Sequence, residues 1–256
     1  MKRAITALAA LMLSSAVPAF AVGSLADVTI YDRMSGQQLP VYVSEGRWYV
    51  AGQPGNEYEI RVRNQSGGDL LAVSSVDGIN VITGETASPA QSGYVLSAGQ
   101  QMQIKGWRKD LTRTAAFYFT RLEDSYAART GRPDHVGVIG VALFRRKVEP
   151  PMALEQRSNR YDAPEPAQRD AQSGRAEAGA PAARAQATPA EKSIGTGHGR
   201  SETSHARYTS FERESERPNE VIAIYYDSRA NLVARGIIRE PVRDPQPFPV
   251  HFVPDP

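Results

Sequence analysis

Short runs in which apolar and polar residues alternate fill the N-terminal half of the chain. Tyr58, Ile60 and Val62 alternate with charged side chains, a pattern that predicts a half-buried strand. Turn residues occupy positions 64–69, and residues 70–76 predict the next strand. Further strands are predicted at residues 28–31, 39–43, 47–50, 79–82, 101–107, 114–121 and 136–145. About eight to ten strands without intervening helices indicate a mainly β protein with an antiparallel β-sandwich over residues 22–148.

The pattern stops after this domain. Residues 162–193 contain no Val, Ile, Leu, Met, Phe, Trp or Tyr, only small, polar and charged residues with several prolines. Burial in such a stretch cannot offset the entropy lost on ordering it. The composition predicts a disordered linker over residues 149–193.

Pattern returns in residues 194–240. Thr209 and Glu212 fit a capping box that opens a short helix. Residues 221–226 and 232–238 are expected to form two strands of a hairpin. Because a lone hairpin is marginal in water, we expect this helix-plus-hairpin segment to dock on the sandwich or on a partner. The Pro-rich residues 241–256 are expected to form an extended tail.

The first 21 residues have the pattern of a secretory signal peptide. Lys2 and Arg3 precede an apolar stretch at positions 4–17, and Ala19-Phe20-Ala21 is a small-x-small cleavage site. The stretch of about 14 residues is shorter than the roughly 20 that a spanning helix needs. We therefore expect an exported protein, periplasmic or extracellular, of a Gram-negative-type envelope that does not span the membrane.

Charge and cysteine content exclude several classes of function. Lys2 and Arg3 account for the formal charge of +2, since residues 1–21 hold no acid. The mature chain is therefore balanced and has no general field that would attract nucleic acid. With no cysteine, the chain has neither a disulfide framework nor thiol catalysis, and no pattern in it calls for a cofactor.

A glycine-rich string at residues 195–200 includes His198 and Arg200. It lacks the strand and the long helix of a dinucleotide-binding unit, so its glycines indicate positive φ angles or tight packing against a neighbour. Anion binding by the loop amides and Arg200 is the alternative. A metal site from His198, Glu202 and His205 needs a helix that the glycines disfavour, so no metal site is predicted.

No catalytic motif is present, neither a Gly-x-Ser-x-Gly elbow nor a Ser-x-x-Lys sequence. Polar and aromatic residues do concentrate in predicted loops, where binding sites on sheet scaffolds usually lie. These candidate binding residues are Asp77, Asn80, Glu85, Trp107, Arg108, Arg129 and Arg132, with His198 and Arg200 added from the glycine-rich string. For Trp107 a place in the core is the competing interpretation.

Several sequence blocks are similar to a family of exported, β-rich proteobacterial proteins. The blocks are residues 77–81, 84–88, 91–96, 106–109, 116–120, 125–133, 136–141, 195–199 and 226–228 with 231–232. The resemblance covers both patterned regions and omits the linker. It implies export, and because the family has no established activity, it implies no site.

Taken together, these patterns favour a non-enzymatic envelope protein that binds a protein partner or a ligand through sandwich loops and the C-terminal segment. Two alternatives stay open. One is a hydrolase, metal-dependent or not, with a site between the sandwich loops and residues 195–205. The other is a structural protein that assembles by β-strand addition.

Overall fold

The computed structural model describes residues 21–148 and 193–239. The predicted linker apart from Ser193, the Pro-rich tail and all but the last residue of the predicted signal peptide lie outside the described residues. Ser193 to Arg239 is called the C-terminal segment below.

Twelve strands precede Val148, most of them short. They are β1 (Ala26–Asp32), β2 (Gln37–Gln38), β3 (Val41–Ser44), β4 (Arg47–Gly52), β5 (Glu57–Asn64), β6 (Leu70–Val76), β7 (Ile79–Asn80), β8 (Tyr94–Leu96), β9 (Gln101–Ile104), β10 (Gly106–Arg108), β11 (Arg113–Arg121) and β12 (Val138–Arg145). Between β11 and β12 lie a helix α1 (Tyr126–Arg129) and two 3₁₀ turns, Leu122–Asp124 and Pro133–His135. The C-terminal segment adds β13 (Ile194–Thr203), β14 (Glu220–Ser228) and α2 (Arg229–Ala234).

The strands form two seven-stranded sheets, which confirms the predicted mainly β, sandwich-like fold. In the first sheet, β2, β1, β5 and β11 are successive neighbours, β10 and β13 pair with β11, and β9 pairs with β5. In the second sheet the order is β3-β4-β14-β12-β6-β7, with β8 also on β6. All pairings are antiparallel except that of β14 with β4.

Alternation along the strands places one face of each sheet in a shared core. Every second residue of β1, from Ala26 to Asp32, is buried, as the period of two requires. Tyr58 of β5 lies in the middle of this core and stacks on Phe119 and Phe117 of β11, with ring centroids 4.3 and 5.4 Å away. Tyr226 of β14 approaches Phe119 from the other sheet at 5.4 Å.

The C-terminal segment supplies strands to both sheets. β13 pairs with β11 along almost its whole length, from Arg121↔Ile194 to Arg113↔Thr203. β14 lies between β4 and β12 and is hydrogen-bonded to both. Without β14 the second sheet would be divided into β3-β4 and the strands around β12. The described residues up to Lys147 and from Ser193 onwards accordingly form one compact unit.

The expected helix at Thr209 is wrong. Residues 204–212 have no regular secondary structure, and the backbone of Glu212 accepts a hydrogen bond from Lys147 N–H. Glu214 N–H in turn donates to Arg145 C=O, so the stretch extends along the end of β12. Phe211 covers an apolar patch on the outer face of the second sheet, around Phe144. Burial of Phe211 and these backbone bonds outweigh the capping signal.

The expected second hairpin strand at residues 232–238 is also wrong, because α2 begins directly after β14. The side chain of Ser228 accepts a hydrogen bond from Asn231 N–H and caps the helix. Gly236, with φ of +69°, follows its end. Leu232 and Ile238 pack with Tyr49 on the outer face of the second sheet. A short apolar run does not by itself distinguish a helix from a strand, and here the cap decides.

Within the described residues, none of the helices is long and apolar enough to cross a membrane.

Candidate functional site

Asp77 stands in the turn between β6 and β7, with φ of +51°, a conformation that Asp tolerates better than most residues. It is 1% exposed. Three donors converge on its carboxylate: Tyr226 Oη at 2.5 Å and Gly137 N at 2.9 Å on Oδ1, and Thr196 N at 2.8 Å on Oδ2. Burial raises the pKa of Asp77 from its ordinary value near 3.8 to about 6, against the effect of these donors.

The hydroxyls beyond Tyr226 continue the network across the core. Thr196 Oγ1 lies 2.7 Å from Tyr226 Oη and 2.6 Å from Tyr58 Oη. Each hydroxyl has one proton to give, and Tyr226 gives its proton to Asp77. Thr196 therefore donates to Tyr226, and Tyr58 donates to Thr196. The resulting chain of hydrogen bonds joins β5 and β13 of the first sheet to β14 and the β6–β7 turn of the second.

A perturbed carboxyl pKa is typical of catalytic acids, but this one has no access to a substrate. The tyrosines beside Asp77 are equally enclosed, and burial raises the pKa of both Tyr58 and Tyr226 well above their ordinary range. The cluster holds the C-terminal segment against the sandwich.

Asn80 and Glu85 shape the loop that follows. Asn80 is fully buried, and its Oδ1 accepts from Ile82 N–H and Thr83 N–H at 2.8 and 3.1 Å. Its own N–H donates to Glu85 C=O. The Glu85 side chain is exposed and accepts from Gln91 Nε2 at 3.2 Å. Asn80 therefore ends β7 and orders the turn after it, and only Glu85 of this pair faces solvent.

Trp107 lies in the core, 4% exposed, so the competing interpretation of this residue holds. Its ring meets Phe117 edge-on at 5.1 Å and Tyr126 at 5.0 Å, and Nε1 donates to Gly197 C=O at 3.3 Å. His198, on the neighbouring position of β13, is exposed with its ring 5.5 Å from Tyr126.

Arg129 and Arg132 lie around α1. Arg129 is exposed, and its guanidinium is 3.9 Å from Asp124. Arg132 donates from Nη1 to Gly84 C=O at 3.1 Å and so ties this region to the loop of Glu85. Asp77, Asn80, Glu85 and Arg132 thus belong to one end of the fold, although only Glu85 and the partly buried Arg132 reach the surface.

The glycine-rich string is part of β13 and not a loop. Its glycines allow close packing, one of the two sequence-based interpretations. A Cβ on Gly195 would lie 2.6 Å from Ser125 Cβ, and one on Gly197 would lie 2.2 Å from the Tyr118 ring. Neither glycine has a positive φ, so these positions require glycine because neighbouring side chains lie too close to the backbone to leave room for a Cβ.

Arg200 belongs to an ion-pair network on β13. It donates to both carboxylate oxygens of Glu57, at 2.7 and 2.9 Å, and approaches Glu202 at 2.6 Å. Arg33 donates to both oxygens of Glu202, at 3.0 and 2.8 Å. The hydrogen bond from Arg200 lowers the pKa of Glu57. Glu202 is thus paired with arginines, and the described residues contain no group of three potential metal ligands.

Arg108 connects the sandwich to the end of β13. Its Nη1 donates to Ser204 C=O at 2.5 Å and its Nη2 to Ser204 Oγ at 3.1 Å. Ser204 N–H donates to Thr112 C=O, and Ala206 N–H donates to Leu111 C=O, both at 2.7 Å. These bonds fix the chain beyond β13 against the turn between β10 and β11.

A depression of about 350 Å³ lies at this place. We call this depression, together with the exposed side chains of Leu111 and Tyr208 in the chain segments that continue from it, the junction surface. Leu111 is 40% exposed in the adjoining turn, and Tyr208, four positions beyond Ser204, is 89% exposed. The depression is lined by Gln101, Met102, Gln103, Lys105, Thr203 and Ser204.

Sequence patterns alone missed most of this surface. Of the candidate residues only Arg108 takes part in it, as the residue that positions Ser204. β9 is an ordinary short strand by pattern, and Tyr208 directly precedes the capping box at Thr209, where a helix was expected to begin. The only signal in the sequence for this surface was an aromatic residue, Tyr208, in a stretch without apolar periodicity.

Comparison of the chain with models of protein families, with curated proteins and with solved structures finds no match. The family resemblance based on the sequence blocks stays a prediction.

Proposed function

We propose that this protein is an exported, non-enzymatic binding module that engages a partner protein through the junction surface. The observation that carries the proposal is a depression built jointly by the sandwich and the C-terminal segment, whose adjoining chain segments expose Leu111 and Tyr208. Tyrosine is among the residues that most often dominate protein interfaces. The amide, hydroxyl and amine groups that line the depression can supply a polar rim.

The surface is also held in place before any partner arrives. Arg108 fixes Ser204 through two side-chain bonds, and the backbone of residues 204 and 206 is bonded to the 111–112 turn. A preorganised surface loses less conformational entropy on binding. This favours recognition of a folded or extended protein segment, and the Ser204 hydroxyl in the lining already accepts a hydrogen bond from Arg108.

A photo-crosslinking amino acid tests the proposal in cells that make the full chain. We expect one discrete adduct when it replaces Tyr208 or Leu111. The control position is Val43, 62% exposed on β3 of the other sheet, where we expect none. Once the partner is purified, Tyr208→Ala should weaken its binding by about tenfold or more, as for an interface hot spot.

Val43→Ser should leave the affinity for that partner unchanged. Equal adducts at all three positions, or an affinity that Tyr208→Ala does not alter, would contradict the proposal. The strand-addition alternative predicts instead a self-associated form of the purified protein, which light scattering measures. The hydrolase alternative predicts turnover that survives Tyr208→Ala.

A further inference from the structure

In the part of the chain that the structure describes, no cation pairs with the buried carboxylate of Asp77. Among the described residues no lysine, arginine or histidine forms a salt bridge with it, and all its partners are neutral donors. Two of these donors, Thr196 N–H and Tyr226 Oη, belong to the C-terminal segment. A change in the charge of Asp77 therefore acts directly on the attachment of this segment.

We propose that Asp77 is a proton-sensitive positioning residue for the C-terminal segment, whose protonation tightens the attachment of β13 and β14 to the rest of the sandwich. This regulatory device is independent of the identity of any partner. When β13 and β14 separate from the sandwich, water hydrates the carboxyl group, and the desolvation penalty on its ionised form is removed. Separation therefore favours the ionised form, and the attached state favours the protonated form.

The direction follows from the pKa values of the two states. Asp77 has a pKa of about 6 in the folded protein and near 3.8 when exposed. The attached state consequently binds a proton between these limits, and the segment is held more tightly as the pH falls from 7 towards 4. Acidification within this window strengthens the attachment, whereas carboxylates that are stabilised by ion pairs behave in the opposite way.

The other ionisable groups around Asp77 do not produce this dependence. Tyr226 of β14 and Tyr58 of β5 stay protonated, because burial raises their pKa values. Glu57 supports β13 through Arg200, whose hydrogen bond lowers the pKa of Glu57 below its ordinary range. His135 packs against Gly78, next to Asp77, and its imidazole must be removed in the test.

Native-state hydrogen exchange of the full chain measures the attachment at each pH. All proteins carry His135→Gln, and the opening constants of the β13 and β14 amides are corrected for the pH dependence of intrinsic exchange. We expect these constants to fall about tenfold between pH 7 and pH 5, as linkage with the two pKa values requires. Asn, like Asp, adopts the positive φ of this position at little cost. In Asp77→Asn the pH-dependent fall of the opening constants should therefore disappear.

Tyr226→Phe gives an independent arm that keeps the carboxyl group. Loss of the hydroxyl donor raises the pKa of Asp77 further, so the fall between pH 7 and pH 5 should exceed that of the parent protein. Three results would overturn the proposal: constants that stay level or rise as the pH falls, a tenfold fall that persists in Asp77→Asn, or a Tyr226→Phe response no larger than the parent's. A purely structural role of Asp77 lowers protection at both pH values equally.

Discussion

The hydroxyl of Tyr226 donates to the carboxylate of Asp77 across 149 positions of sequence, with an Oη–Oδ1 distance of 2.5 Å. Asp77 lies in the turn between β6 and β7, in the first half of the chain, and Tyr226 lies in β14 of the C-terminal segment. This bond and the strand pairings of β14 make the C-terminal segment part of the sandwich.

Thr196→Val should destabilise the protein by about 2 kcal/mol, because the substitution leaves the buried hydroxyls of Tyr58 and Tyr226 with fewer partners. The shape of the side chain is kept, so the loss reports the hydrogen bonds. Urea unfolding measures it. Thr203→Val, on the exposed end of the same strand, is the matched control and should change stability by less than about 0.5 kcal/mol. An equal loss in both variants would mean that the hydroxyl chain contributes nothing.

Asp77→Asn should cost more stability at pH 5 than at pH 7. A carboxyl group with a folded pKa raised to about 6 adds stability below pH 3.8 and loses it as the pH rises from 3.8 to about 6. The cost of the substitution should therefore grow by about 1 kcal/mol between pH 7 and pH 5. Urea unfolding of both proteins, each also carrying His135→Gln, measures this difference at the two pH values. A cost that shrinks on acidification would show that the carboxylate is stabilised by its donors more than it is penalised by burial.

Gly106→Ala should destabilise the protein by about 2 kcal/mol or more. A Cβ at this position would lie 1.9 Å from Ala115 C=O, so β10 and β11 must move apart. Gly67→Ala is the control, because a Cβ there has no neighbour within 4 Å and the residue has no positive φ. Thermal unfolding compares the two variants. A Gly106→Ala protein as stable as the control would show that the β10–β11 pairing can widen at little cost.

Period-two alternation predicted the strands of the sandwich well, because each of them buries one face. The run from Tyr58 to Val62 lies within β5, and the run over residues 136–145 contains β12. Local signals were less reliable in the C-terminal segment. The cap at Ser228 and the glycine at position 236 marked α2, whereas the apolar residues 232–238 favoured a strand.

The candidate site was harder to predict, since its geometry depends on contacts between distant parts of the chain. Asp77 has the sequence context of a surface turn, but Gly137, Thr196 and Tyr226, all distant in sequence, enclose its carboxylate. Asn80, in the predicted strand 79–82, and Trp107, at the end of the predicted strand 101–107, were candidates for binding yet lie in the interior. Arg108 was a candidate for its charge, and its role is to hold Ser204.

The most direct test of the account asks whether the C-terminal segment stays in the sandwich once the chain connecting them is cut. A specific protease site is inserted within residues 149–192, outside every contact described above, and the purified protein is cleaved and diluted. The account predicts that the two pieces co-elute in size-exclusion chromatography and unfold in one thermal transition, because β14 is hydrogen-bonded on both sides within the second sheet. Pieces that separate on dilution, or that unfold in two independent transitions, would contradict it.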